Sequence, residues 1–456
     1  MKQSYLITFI FFLFAITTQT EAQSLEDKIG QMIMVGVEND QLSQSTLIED
    51  LEQRNLGGVL LFGYNIDNPT QVRNYTSDLQ TKSDERLLIA VDQEGGIVAR
   101  LDETNGYAQT YSAETLGFEF NSEDSTRAVA QLMAHWLSDA GFTFNLAPVV
   151  DLRINPNSPA IGFLDRSFSA DPETVVNHAS WFIEEFHSRN IATALKHFPG
   201  HGSAETDSHL GFTDITNTWK SVELDPFKQL IDNGYNDPIM TGHLYNEDWD
   251  TNYPVSLSEY AITIMLRDSL GFDGVVITDE LFMRALSNNY GLEETIVTTI
   301  NAGTDILLFN TNIWNNQSLV EYIINLVVDR ISDGTIQEST INESYARIKW
   351  LKQERIPTSS DEIVESSELP ASFRIQNYPN PFNPSTTITV STLERSNVRI
   401  SVHDALGREV RLLQEGQLQR GVHTIRFDGG RLSSGVYFVM VRSPSSVKTH
   451  AITLVK

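Results

Sequence analysis

Leu87-Leu88-Ile89-Ala90-Val91 runs straight into Asp92-Gln93-Glu94-Gly95-Gly96, and Gly274-Val275-Val276-Ile277-Thr278 runs straight into Asp279. Both are short stretches without alternation of polar and apolar positions, each closed by a carboxylate. A strand with one wet face alternates, so runs of this kind read as buried on both faces, the habit of parallel sheets covered by helices. Six more short runs share the character, at 31–37, 57–62, 142–151, 192–198, 239–243 and 305–309. Amphipathic stretches of helical spacing fill the gaps, among them 125–140, 172–190 and 258–270. Eight strand–helix units in about 330 residues predict an α/β fold, a TIM-type (β/α)8 barrel over residues 24–355, with the chemistry at the C-terminal ends of its strands. An open doubly wound sheet is the alternative.

Outward from the barrel the pattern changes. Residues 356–372 are polar and aperiodic and read as a linker. From 373 to 456 no helical period survives. Short runs at 386–390, 398–403, 409–413, 423–427, 436–441 and 451–455 alternate with Gly, Ser, Asn and Pro turns. They predict a small all-β, immunoglobulin-like sandwich. At the other end Lys2 precedes an apolar run over 5–16, and Thr20-Glu21-Ala22 offers small residues before a cut ahead of Gln23. Residues 1–22 read as a secretory signal peptide, since the run is shorter than the roughly 20 residues that span a bilayer. No later run is long and apolar enough to span.

The chain has 456 residues, with 60 Asp plus Glu against 32 Lys plus Arg and a net charge of −28. That argues against a nucleic-acid partner, which needs a cationic face. It has no cysteine, which excludes disulfides, thiolate metal sites and a cysteine nucleophile. Forty per cent hydrophobic and 20% charged residues exclude wholesale disorder.

Three strand ends carry unusual charge. The third run leads to Asp92 and then Arg100. The fifth gives Lys196-His197-Phe198-Pro199-Gly200-His201-Gly202 and continues to Asp207-Ser208-His209. The seventh gives Asp279-Glu280. Three histidines within 13 residues suggest a metal. However, Pro199 and Gly200 break the helix that would put His197 and His201 on one face, so no metal is expected. Asp207 and His209, at i and i+2 of an extended segment, can join carboxylate to imidazole and make an acid and base for use near neutrality. An exposed loop histidine beside a solvated aspartate fits the same residues. Asp279 suits a nucleophile or electrostatic stabiliser, and equally a helix cap. Asp92, Arg100, Arg166 and Lys196 suit a clamp for the hydroxyls of a polar ligand, or structural ion pairs.

Taken together, Val91-Asp92-Gln93-Glu94-Gly95-Gly96 with Arg100, Asp165-Arg166-Ser167-Phe168, the 196–202 motif, Asp207-Ser208-His209 and Ile277-Thr278-Asp279-Glu280-Leu281-Phe282-Met283 resemble the β-N-acetylhexosaminidases of glycoside hydrolase family 3. The resemblance covers residues 24 to 355. It implies a retaining mechanism with Asp279 as nucleophile and His209, paired with Asp207, as acid and base. Asp92, Arg100, Arg166, Lys196 and His197 would hold the sugar at the point of cleavage. No metal or organic cofactor is implied. Relatives that cleave glucosides usually lack the Asp-Ser-His segment and carry a further α/β domain. Three departures stand out: Glu280 replaces a usual aspartate, Ser203-Ala204 replaces a usual Asp-Thr, and the approach to Arg166 through Ile161-Gly162-Phe163-Leu164 runs two residues longer than usual.

Residues 373–456, through Asn377-Tyr378-Pro379-Asn380-Pro381-Phe382-Asn383-Pro384, Val402-His403-Asp404-Ala405-Leu406-Gly407-Arg408 and Leu432-Ser433-Ser434-Gly435-Val436-Tyr437, resemble the type A C-terminal sorting domains of type IX secretion. That implies the type IX machinery as a partner and a secreted or cell-surface destination. The whole chain then reads as a secreted exo-acting glycosidase removing terminal β-linked N-acetylglucosamine. A phosphorylase or β-glucosidase on the same barrel, and a non-catalytic surface sugar-binding protein, are the alternatives.

Overall fold

The computed structural model describes residues 23–356, 373–378, 382–392, 396–404, 408–418, 421–443 and 447–456. The expected signal peptide at 1–22 and residues 357–372 of the expected linker lie outside the described residues. Contacts divide the chain into two compact units, with the boundary between residues 361 and 362.

The first unit is α/β, and each apolar run of the sequence contains a strand: β1 Ile33–Gly36, β2 Gly58–Leu61, β3 Leu88–Val91, β4 Phe144–Asn145, β5 in the pieces Ala192–Thr193 and Leu195–Phe198, β6 Ile239–Thr241, β7 Val276–Thr278 and β8 Leu307–Phe309. All pair in parallel and in chain order. Met34 lies opposite Gly58, Leu60 opposite Ala90, Ala90 opposite Phe144, and Phe144 opposite Ala192. Leu195 then lies opposite Ile239, Met240 opposite Ile277, Ile277 bridges to Ile306, and Leu307 lies opposite Ile33. β4 is shorter than its apolar run because Pro148 has no N–H to give a ladder, and pairing resumes as a single bridge from Val149 to Lys196.

The helices start where the sequence supplies caps. Asn68 accepts from the Thr70 and Gln71 N–H groups ahead of Pro69–Thr81, and Asp171 accepts from Thr174 ahead of Pro172–His187. The second helix stops at His187, short of residue 190, because Asn190 turns left-handed at φ 57°. The expected helix at 258–270 forms over Tyr260–Ser269 as a π-helix, closed by Leu270 N–H on Met265 O. Strands β1, β2 and β3 are buried throughout. Each Val, Leu or Ile so covered contributes about 1.5–3 kcal/mol of burial.

Buried charges at the N-terminal ends of the strands tie the last helix, Glu338–Arg355, to the sheet. Asp237 accepts from Thr193 N–H at 2.9 Å and from Arg355 Nε. Asp305 accepts from Val276 N–H at 2.7 Å and from Arg347 at 3.1 Å. Lys352 Nζ donates to Gly57 O at 2.9 Å and to Gln31 at 2.7 Å.

The second unit is antiparallel β. Strands β9 Phe373–Tyr378, β10 Ser385–Thr392 and β13 Gly421–Asp428 form one sheet in the order β9-β10-β13. β11 Ser396–His403, β12 Glu409–Leu418, β14 Gly435–Arg442 and β15 Val447–Leu454 form another, in the order β12-β11-β14-β15. Ile388, Val390, Ile400, Val402, Val439, Val441 and Ile452 are buried in its core. The six expected strands are present, and β9 is one that the sequence reading did not contain.

Candidate active site

The C-terminal ends of the parallel strands of the first unit surround a cavity of about 420 Å3. Asp92, Arg100, Arg166, Lys196, His197, Asp207, His209 and Asp279 all line it, joined by Glu94, Glu280, Asn310 and apolar residues including Phe62, Leu146 and Met240. Residues spread from 92 to 279 therefore meet at one mouth.

Asp279 is fixed by the sheet. Its N–H donates to Thr241 O at 3.0 Å, and its Oδ1 accepts from Glu280 N–H at 2.8 Å. Burial pushes its carboxyl up, but the facing His197, His243 and His209 and the Glu280 N–H outweigh that and hold it down at about 2. It is an anion at neutral pH, facing the cavity. Glu280 behaves oppositely. Burial pushes its carboxyl up to about 7, only partly offset by the Phe282 and Asn310 N–H groups it accepts from.

A cross-linked set of charges forms the opposite wall. Glu94 accepts two bonds from Arg166, both 2.8 Å, and lies 2.7 Å from Lys196 Nζ. Lys196 also donates to Asp92 at 2.7 Å, and Arg100 reaches Asp92 at 3.6 Å. Burial opposes the charges of Glu94 and Lys196, and the pairing overrides it: Glu94 is held well below the carboxylate range by Arg166 and Lys196, and Lys196 is raised above the usual ammonium value by Asp92 and Glu94. The sequence reading took Arg166 and Lys196 for sugar-holding groups, and both meet the cavity already braced by Glu94.

His197 is oriented by Asp151, which the sequence reading did not single out. Asp151 Oδ2 lies 2.7 Å from His197 Nδ1, and its Oδ1 accepts from the N–H groups of His197 and His201. Arg166 NH2 faces His197 Nε2 at 3.4 Å, and a guanidinium only donates, so the proton sits on Nδ1 and the lone pair on Nε2.

Asp207 and His209 sit on the loop after β5. Asp207 Oδ1 lies 2.8 Å from His209 Nδ1 and accepts the His209 backbone N–H at 2.9 Å, and the half-exposed ring lines the cavity. Burial raises the Asp207 carboxyl, and the bonds and charge of His209 bring it below its usual value. Between them Ser208 is buried and its Oγ lies 3.2 Å from His201 Nε2. The loop leaves the sheet through two glycines with no room for a side chain: a Cβ on Gly202 would stand 1.6 Å from Leu152 O, and one on Gly200 2.6 Å from Glu223 Cβ. Among the described residues no group of three or more His, Asp or Glu is placed to hold a metal ion.

The arrangement offers an anionic oxygen on one side of a sugar-sized space and a carboxylate-held imidazole on a loop over it. Donors and acceptors for hydroxyls line the wall.

Residues 24–351 match the family described as "Glycosyl hydrolase family 3 N terminal domain", and residues 376–455 match the "Secretion system C-terminal sorting domain". The chain is 30% identical over 346 residues to Beta-hexosaminidase A of Pseudoalteromonas piscicida, covering 71% of this chain and 57% of that protein. It is 33% identical over 330 residues to the Beta-hexosaminidase of Tolumonas auensis, covering 69% of this chain and 94% of that protein. Among solved structures, a glycoside hydrolase family 3 beta-N-acetylglucosaminidase from Paenibacillus sp. str. FPU-7 superposes with TM-score 0.68 at 30% identity, over 77% of this chain and 65% of that one. Beta-N-acetylhexosaminidase from Beutenbergia cavernae superposes with TM-score 0.66 at 26% identity, over 73% of this chain and 99% of that one. The chain thus spans little more than half of the Pseudoalteromonas protein and nearly all of the Tolumonas one.

Proposed function

The chain belongs to glycosyl hydrolase family 3, and from that premise we propose that it is an exported exo-β-N-acetylhexosaminidase releasing terminal N-acetylglucosamine from the non-reducing ends of chitin- or peptidoglycan-derived oligosaccharides. The observation that carries the reading is the Asp207–His209 pair, 2.8 Å apart, lining the same cavity as ionised Asp279. Asp279 attacks the anomeric carbon while His209 Nε2 gives its proton to the departing glycosidic oxygen. A covalent glycosyl–enzyme forms and the shortened oligosaccharide leaves. Water then attacks the same carbon, His209 takes its proton, and Asp279 is released with the anomeric configuration retained. Asp207 holds the imidazole proton on Nδ1 and supports the cation. Asp92, Arg100, Arg166, Lys196 and His197 hold the sugar. The relatives' printed activities support the substrate class.

In this reading residues 24–355 form a TIM-type (β/α)8 barrel, supported by strand pairing in chain order with β8 back on β1. Residues 356–372 are a linker, and 373–456 are an immunoglobulin-like sandwich read by the type IX machinery, which carries the enzyme to the cell surface or medium. Turnover of aryl β-glycosides of N-acetylglucosamine, N-acetylgalactosamine, glucose and xylose, with and without phosphate, tests the activity. N-acetylglucosaminide should be cleaved fastest, at a rate independent of phosphate. Cleavage that requires phosphate, or that favours glucoside, would overturn the assignment.

A further inference from the structure

Beside the cavity lies a larger groove, about 740 Å3, that this chemistry leaves unused. Leu164 lines both spaces, and Asp165, at the edge of the groove, immediately precedes Arg166 of the charged wall. The two adjoin at Leu164. Three large apolar side chains that folding would bury instead stand exposed there: Phe163 at 73%, Ile97 at 68% and Tyr111 at 53%. Phe163 is presented by the segment that leads to Arg166. That segment is a tight turn, Gly162–Leu164, with Phe163 N–H on Ser158 O at 2.9 Å and Arg166 N–H on Ile161 O at 3.2 Å. Its inner side is pressed shut, since a Cβ on Gly162 would stand 2.5 Å from Asn155 O. Tyr111 is braced by Phe120, ring centroids 5.1 Å apart and planes at 82°. The Tyr111 ring and the Phe163 backbone are thus held in place beside the groove.

The chemistry of the lining narrows the occupant. Besides the rings it consists of neutral donors and acceptors such as Gln109, Thr110 and Ser112, with one carboxylate, Asp165, and no lysine, arginine or histidine. An acidic peptide would meet Asp165 and a chain of net charge −28 without a cation to receive it. Neutral pyranose rings present a flat face of C–H bonds to an aromatic ring and an equator of hydroxyls to polar side chains, which is what this groove offers.

We propose that the groove binds the leaving-group side of the substrate as a run of neutral sugar rings, so that the enzyme favours N-acetylated amino-sugar oligosaccharides of three or more units over short or peptide-bearing ones. The proposal rests on the glycosidase reading of the Asp279 cavity. In the full-length protein kcat/KM should rise from the dimer to the tetramer of β-1,4-linked N-acetylglucosamine. Phe163→Ala and Tyr111→Ala should each lower the tetramer's kcat/KM by about 3- to 10-fold, the worth of one aromatic contact, and affect the aryl monosaccharide far less. Phe163→Tyr should keep the preference. A flat length profile, equal losses on all substrates, or faster turnover of a disaccharide bearing an acidic peptide would each overturn the groove. No turnover of the aryl glycoside would overturn the glycosidase reading instead. Calorimetric binding of dimer and tetramer to Asp279→Ala would then still decide the groove, tighter tetramer binding supporting it and equal binding refuting it.

Discussion

Replacing Glu94 by glutamine exchanges one oxygen for an NH₂ group and should cost more than any other single substitution at the mouth of the cavity. The carboxylate accepts two 2.8 Å bonds from Arg166 and stands 2.7 Å from Lys196 Nζ, and the three side chains are exposed by only 5%, 8% and 3%. Solvent screening is therefore small. A neutral amide keeps one acceptor but turns an N–H₂ toward a cationic donor, leaving buried Arg166 and Lys196 without the counter-ion they share. Removing one partner of a buried pair costs about 3–5 kcal/mol. An unfolding entropy of about 2.1 cal/mol/K per residue over roughly 330 residues gives about 0.7 kcal/mol per degree, so Tm should fall by about 4–7 °C. Calorimetry on Glu94→Gln beside Glu280→Gln provides the comparison. Glu280, whose carboxyl burial pushes up to about 7, is half-protonated near neutrality, so its amide replacement should shift Tm far less. Because a raised acid is stabilising below its unfolded value of about 4.3 and loses this as pH rises through 7, Glu280→Gln should also gain on wild type from pH 5 to pH 8. A Glu94→Gln protein melting within about 1 °C of wild type with unchanged KM would refute the buried-charge argument.

Five other variants, three substitutions and two truncations, test the remaining assignments. Asp279→Ala should abolish turnover, a loss beyond about 10⁴-fold, with circular dichroism unchanged, and a fluorinated sugar should label Asp279 in wild type; labelling of Glu280 would move the nucleophile by one residue. His209→Ala should slow natural oligosaccharides by about 10²–10⁴-fold, nitrophenyl glycosides much less, and flatten the pH–rate profile around neutrality, with Asp207→Asn a milder copy; equal losses on both substrates would make the histidine a binding residue. A chain stopped after Ile356 should keep full activity and, in a host with type IX secretion, stay in the periplasm. One stopped at residue 346 should fail to fold, because it removes Arg347 and Arg355 from buried Asp305 and Asp237.

The strands were legible because parallel strands buried on both faces leave unbroken apolar runs, and a run such as Leu88–Val91 has no other use. The π-winding of Tyr260–Ser269 was not, since the spacing that marks a helix says nothing of an i→i+5 closure. Strand β9 alternates only over Phe373-Arg374-Ile375-Gln376 before an Asn- and Pro-rich stretch, too short a run to stand apart from a turn, and is defined by its pairing with β10. In the site, Asp92 and Asp279 were readable as carboxylates closing buried strands. Glu94 and Asp151 were in view but without a role, because what they do depends on Arg166, 72 residues later, and His197, 46 residues later. Sequence spacing shows which faces residues share within one strand; it does not show which loops meet across the rim.

The two halves of the proposed chemistry are fastened differently. Asp279 is anchored in the sheet, whereas among the described residues the hydrogen bonds of Thr206 to Gly211 run to one another and to Phe212 and Thr213, except that from Ser208 to His201. Local opening draws on the weakest-held segments first. Warming or mild denaturant should therefore release the proton carrier while the strands stay paired, giving a silent but folded enzyme that recovers on cooling. In that case activity should be lost below the melting temperature of the fold, and strengthening the core should not delay that loss.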